Sequence, residues 1–131
     1  MYEETYRLFV YGTLKLDNVN NPLLMQRGSE MIGECVASGI AMYNLGPSPV
    51  AVMEEGGEVE GEVWLVDKAT LERTDWLEGY NEKSPESSLY IRKMVDTNVG
   101  KCFTYIYVNH DGYDIFSSQQ PIRKWDSPSR T

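Results

Sequence analysis

One stretch of this chain, Lys68 to Glu78, carries both a start and a stop signal for a helix. Asp67 stands where an N-cap belongs, good helix formers follow, and Gly79 supplies the kind of residue on which helices end. The other apolar segments are strand-length and rich in β-branched and aromatic residues. Tyr6 to Tyr11 is such a run and stops at Gly12. Met31 to Cys35 and Gly39 to Asn44 are two more, with glycines at turns or bulges. Glu58 to Val66 alternates, with Val59, Gly61, Val63 and Leu65 on one side and Glu60, Glu62 and Trp64 on the other. Tyr90 to Val95 and Lys101 to Asn109 read as the last strands. Pro22 opens a short helical turn, and Gly46 to Pro49 is a rigid loop. Many strands with one or two helices predict an α+β fold: a small, mixed, twisted β-barrel with flanking helices.

The chain has 131 residues, the size of one domain, and 1–131 is expected to be a single unit with a peripheral tail from about residue 118. A chain of this length buries roughly two-thirds of its unfolded surface, so its core needs no disulfide or metal. Cys35 and Cys102 fit no disulfide framework or metal knuckle and are expected as buried, reduced thiols of a cytoplasmic protein. Twenty acidic against twelve basic residues give a net charge of −8, which disfavours nucleic acid and anionic membranes as partners. No apolar run is long enough to span a bilayer, and the acidic start from Met1 to Thr5 does not resemble a leader.

The single histidine, His110, excludes any mechanism that needs two in one chain, and its Asn109-His110-Asp111-Gly112 setting reads as an exposed turn. Glu54, Glu55 and Glu58 lack the ordered spacing of a calcium loop and read as a solvated acidic turn. No metal or other cofactor is expected. Phe103, Tyr105 and Tyr107 alternate along a strand, with barrel core as the expected location and a pocket-facing hydroxyl as the alternative, Tyr105 before Tyr107. Arg92 is expected to pair with a nearby carboxylate and support the barrel.

Two features are candidates for chemistry, each against a plainer alternative: a solvated glutamate at a frayed helix end, and an ordinary strand-to-loop turn. Glu78 closes the helix, where the partial negative charge of the helix end disfavours a carboxylate. Trp76, Leu77 and Tyr80 flank it with apolar bulk, and both effects raise its pKa toward the range useful in acid–base work. The turn at Tyr11, Gly12, Thr13 and Leu14 lets backbone approach a ligand, and successive N–H groups there can form an anion-binding concavity.

Taken together, the motifs resemble the gamma-glutamylcyclotransferase-like family, which includes the gamma-glutamylamine cyclotransferases and AIG2-like proteins. Phe9-Val10-Tyr11-Gly12-Thr13-Leu14 resembles its opening signature, and Gly61-Glu62-Val63-Trp64 its central strand. Thr74-Asp75-Trp76-Leu77-Glu78-Gly79 resembles its Leu-Asp-x-x-Glu-Gly motif, with Thr74 in place of the leucine. Tyr90-Ile91-Arg92 matches its Tyr-x-Arg strand and Tyr105-Ile106-Tyr107 its late aromatic strand. The resemblance implies a small-molecule γ-glutamyl substrate, Glu78 as general acid and base, and 5-oxoproline release by intramolecular cyclisation. It also implies that the Tyr11 to Leu14 loop holds the substrate's α-carboxylate and α-amine, with Tyr105 beside it. The alternative is a non-catalytic module that keeps the cavity for a γ-glutamyl-like ligand or a protein partner. Two departures bear on the leaving group. Ser48-Pro49-Val50 stands where the family often has Tyr-Pro-Gly or Tyr-Pro-Ala, and the segment between Gly79 and Tyr90 is long.

Overall fold

The computed structural model describes residues 4–16, 18–25, 28–44, 49–84, 88, 90–108 and 120–125. Among the described residues, five strands and two helices follow in the order β1 (Thr5–Val10), α1 (Pro22–Met25), β2 (Glu30–Asn44), β3 (Pro49–Asp67), α2 (Lys68–Glu78), β4 (Tyr90–Thr97) and β5 (Gly100–Tyr107). The strands close into a barrel in the order β1-β3-β2-β4-β5. All neighbours are antiparallel except β1 and β5, which meet in parallel at Leu8 and Phe103 and make the sheet mixed. The α+β barrel expected from the sequence is therefore the observed fold.

Period-two alternation places two cores on opposite sides of one sheet. Phe9, Cys35, Ala37, Val59, Val63, Val95, Cys102 and Ile106 come from all five strands and fill the barrel interior. Leu8, Val10, Trp64, Val66 and Tyr105 face outward and are covered by Leu24 of α1 and Leu71 of α2. The split within β3 follows the predicted alternation, but its second face is also buried: Trp64 is only 1% exposed. Gly61 is required between the two cores, because a Cβ there would lie 2.4 Å from the Val10 carbonyl oxygen and 2.7 Å from the Phe9 ring.

Three expectations need correction. The two short strands at Met31 and Gly39 are one strand, β2, interrupted by register shifts at Met31/Gly33 and Ser38/Ile40. The acidic run Glu54 to Glu58 is no connection between elements but a stretch of β3, exposed at all three glutamates. The tail is not peripheral throughout. Ile122 N–H donates to Met42 O (2.8 Å), Glu60 N–H donates to Arg123 O (2.7 Å), and Trp125 is 4% exposed within the interior cluster. The Gly46-Pro47-Ser48 loop and the His110 turn lie outside the described residues.

Cys35 and Cys102 are free and buried, and burial pushes the Cys35 thiol up to about 11. Among the described residues no helix is long and apolar enough to cross a membrane.

Candidate active site

Helix α2 has the expected limits. The Asp67 side chain caps its start by accepting from Thr70 N–H (2.7 Å). Gly79 ends it at φ 71°, its N–H donating to Trp76 O (3.1 Å), while Tyr80 N–H donates to Asp75 O (2.9 Å). This stop leaves Glu78 as the last helical residue, beside the mouth of the barrel.

The strand β1 delivers the second component. After Val10 the chain turns back on itself, with Lys15 N–H donating to Gly12 O (3.0 Å) and Asn20 N–H to Thr13 O (2.9 Å). The Asn21 side-chain amide donates to Leu14 O (2.9 Å), and that of Asn20 donates to Thr13 Oγ1 (2.8 Å). The carbonyls of residues 12 to 14 are thus all engaged by the protein itself. Gly12 packs so closely on Pro49 that a Cβ would lie 2.9 Å from the proline Cγ.

Between these components lies a cavity of about 250 Å³, lined by Tyr11, Gly12, Thr13, Leu14, Glu78 and Tyr105 together with Phe9, Val10, Asn20, Pro49, Leu77 and Tyr90. All six residues singled out from the sequence share it. The volume suits a small ligand head group rather than a drug-sized molecule. Burial raises the Glu78 carboxyl from 4.5 to about 7. Burial also pushes the phenols of Tyr11 and Tyr90 upward, and the neighbouring Glu78 carboxylate adds to both shifts. Among the described lining residues there is neither lysine nor arginine, and Glu78 is the one carboxyl group.

Tyr105 lines the cavity, but its hydroxyl does not open into it. That oxygen lies 2.6 Å from Asp75 Oδ1 and 2.6 Å from Thr74 Oγ1, turned toward α2. Phe103 and Tyr105 belong to the outer core under the helix, and Cys102 and Ile106 alternate with them into the interior, which corrects the expectation of barrel core. Tyr107 packs edge-on against Tyr90 with ring centroids 5.7 Å apart. Arg92 pairs with Asp75 of α2, as the sequence suggests for a support of the fold. Glu82 is 68% exposed at its side chain and lies 3.6 Å from the Arg92 guanidinium.

Sequence reading missed Tyr90 and Pro49 as cavity walls. The aromatic wall that Ser48-Pro49-Val50 lacks comes instead from Tyr90 on β4, where pairing with Tyr107 places it. The signal was the Tyr-x-Arg strand itself: Arg92 is drawn to α2, and the period of two puts Tyr90 on the same face.

A second hollow of about 240 Å³ is lined by Lys15, Glu60, Glu62 and Asn98 among others. Three of its charged side chains are engaged within the protein. Lys15 Nζ donates to Trp125 O (2.8 Å), Glu62 Oε1 accepts from Leu16 N–H (2.8 Å), and Glu60 accepts from Arg123 (2.7 Å). The first cavity is therefore the stronger candidate.

A closed, mixed barrel with a half-buried glutamate at a helix end, facing a glycine turn, defines a class of protein with a compact small-molecule cavity. The chain belongs to the gamma-glutamyl cyclotransferase, AIG2-like family, whose model matches residues 8–127. It is 31% identical over 101 residues to the gamma-glutamylcyclotransferase family protein YtfP of Escherichia coli K12, covering 77% of this chain and 81% of that one. The solution structure of ytfP from Escherichia coli superposes with a TM-score of 0.63 at 28% identity, covering 90% of this chain and 92% of that one. An aig2-like protein from mouse shares the fold, with a TM-score of 0.68 at 18% identity over 94% of this chain and 89% of that one.

Proposed function

We propose that the chain is an amide-cleaving, cyclising transferase that releases 5-oxoproline and an amine from a γ-glutamyl amide. The observation that carries this reading is Glu78, half-buried and raised to about 7, in one cavity with the Tyr11 to Leu14 turn. The N–H groups of that turn hold the α-carboxylate, a role that needs no arginine. The bent substrate brings its neutral α-amine against its own γ-carbonyl carbon. A C–N bond forms there as the attacking nitrogen gives a proton to Glu78. The bond to the leaving nitrogen then breaks as Glu78 returns a proton to it, so protons balance and Glu78 is restored. Pre-arranged geometry supplies several kcal/mol of the barrier, which spares the enzyme a nucleophile of its own.

The test is 5-oxoproline release from a panel of γ-glutamyl amines and γ-glutamyl dipeptides, by the wild type and by Glu78→Gln with its fold checked by circular dichroism. The expected result is turnover of at least one compound, lost in the variant. Full activity in Glu78→Gln overturns its role. A thermal shift with γ-glutamyl ligands and no product from any of them would make the chain a binding module.

A further inference from the structure

Little apolar surface holds α2 to the barrel. Its buried residues are Thr70, Leu71 and Thr74, Trp76 points to solvent at 83% exposure, and the last turn carries no basic residue to complement the helix end. A helix of 11 residues is marginal without tertiary contacts. Its last turn, where Glu78 sits, is gripped by polar groups from two strands. The guanidinium of Arg92, on β4, forms an ion pair with Asp75 Oδ2 and lies 5.5 Å from the Tyr80 ring and 5.1 Å from the Phe103 ring. The Tyr105 hydroxyl, on β5, reaches Asp75 Oδ1 and Thr74 Oγ1.

Each hydroxyl carries one proton, and ionised Asp75 only accepts. Tyr105 therefore donates to Asp75, and Thr74 shares its proton between the Tyr105 oxygen and Leu71 O, which lies 2.9 Å away. Thr74 stands where a leucine would leave no such bond. At the same time the Tyr105 carbonyl accepts the Tyr11 hydroxyl (2.7 Å). One residue thus ties the loop through its backbone and the helix through its side chain.

We propose that Thr74, Asp75, Arg92 and Tyr105 form a clamp that fixes the distance between Glu78 and the Tyr11 to Leu14 turn, and so act as positioning residues for the reaction. Asp75 and Glu78 are three apart on the helix, and Thr74 and Glu78 four apart, so holding the first two fixes the third. This inference rests on the reading of Glu78 as the acid–base group.

Tyr105→Phe removes one oxygen and leaves the ring that lines the cavity. Asp67→Ala is the control, because it loosens the far end of the same helix. The expected loss in Tyr105→Phe is on the order of 10- to 100-fold in kcat. KM should stay within about threefold, since ground-state contacts remain. The Glu78 carboxyl, followed by carbon-13 NMR and assigned with Glu78→Gln, should titrate below the wild-type midpoint. Asp67→Ala, at a similar loss of Tm, should keep both kcat and that midpoint. Thr74→Val and Arg92→Lys serve if Tyr105→Phe does not fold. Unchanged kcat and an unchanged Glu78 midpoint in these variants would overturn the clamp. If the wild type turns over no compound, the proposed reaction fails while the NMR titration still decides the clamp.

Discussion

Glu78 makes the fold and the chemistry compete. Its carboxyl titrates near 7 in the fold against 4.5 when unfolded, because burial penalises the charged form. A raised carboxyl favours the folded state only while protonated. The contribution is whole below about pH 4.5 and is lost as pH rises through about 7, to a total of at most about 3 kcal/mol. Glu78→Gln cannot ionise, so it should match the wild type in Tm at acid pH and exceed it by several degrees at about pH 8. Thermal unfolding at the two pH values checks this, and equal curves at the higher pH would contradict it. The same group predicts that kcat/KM falls as pH drops through about 7, the free-enzyme pKa of a base. Glu78 was legible because Gly79 fixes it at the helix end. Of the flanking Trp76, Leu77 and Tyr80, however, only Leu77 lines its cavity; Trp76 is 83% exposed, and the remaining walls come from distant parts of the chain. Tyr90 was only half legible: its spacing from Arg92 gives its face, but pairing with Tyr107 is what brings it to the cavity.

Elements were legible where local signals decide them. Asp67 and Gly79 bracket α2 without help from the rest of the fold, and removing either signal has a bounded cost. Gly79→Ala forces a Cβ into φ 71° and should destabilise by about 1 kcal/mol, read from the denaturant midpoint. Strand lengths were less legible. Breaks in alternation at Gly33 and Gly39 look like ends of strands in one dimension, whereas the partner β3 carries β2 across both. The contact at Gly61 is of the same kind, invisible until β1 lies across it. Gly61→Ala should force β1 and β3 apart and lose on the order of 1–3 kcal/mol, as overpacked sites do. An unchanged urea midpoint would refute that account.

At the scale of the whole molecule, the C-terminal part is where local reading failed. A polar stretch after Ser117 resembles a tail, yet Trp125 fills the barrel interior beside strand residues a hundred positions earlier. Its burial is set by shape complementarity, which composition does not encode. Trp125→Ala should therefore lose about 3–5 kcal/mol, the range for an emptied aromatic core site. A loss under about 1 kcal/mol, typical of a surface position, would show that this segment is dispensable. Closure is equally non-local, because β1 meets β5 at Leu8 and Phe103.

That parallel seam has a consequence for biosynthesis. The first strand leaves the ribosome with both edges unpaired; β3 covers one, and the other waits for β5, some 95 positions later by the Leu8 to Phe103 register. Such distant pairing slows folding and leaves a nascent edge open to other chains. Translation rate through the second half of the message therefore bears on the yield of closed barrels, and slowing it should favour capture of the growing chain by holdase chaperones.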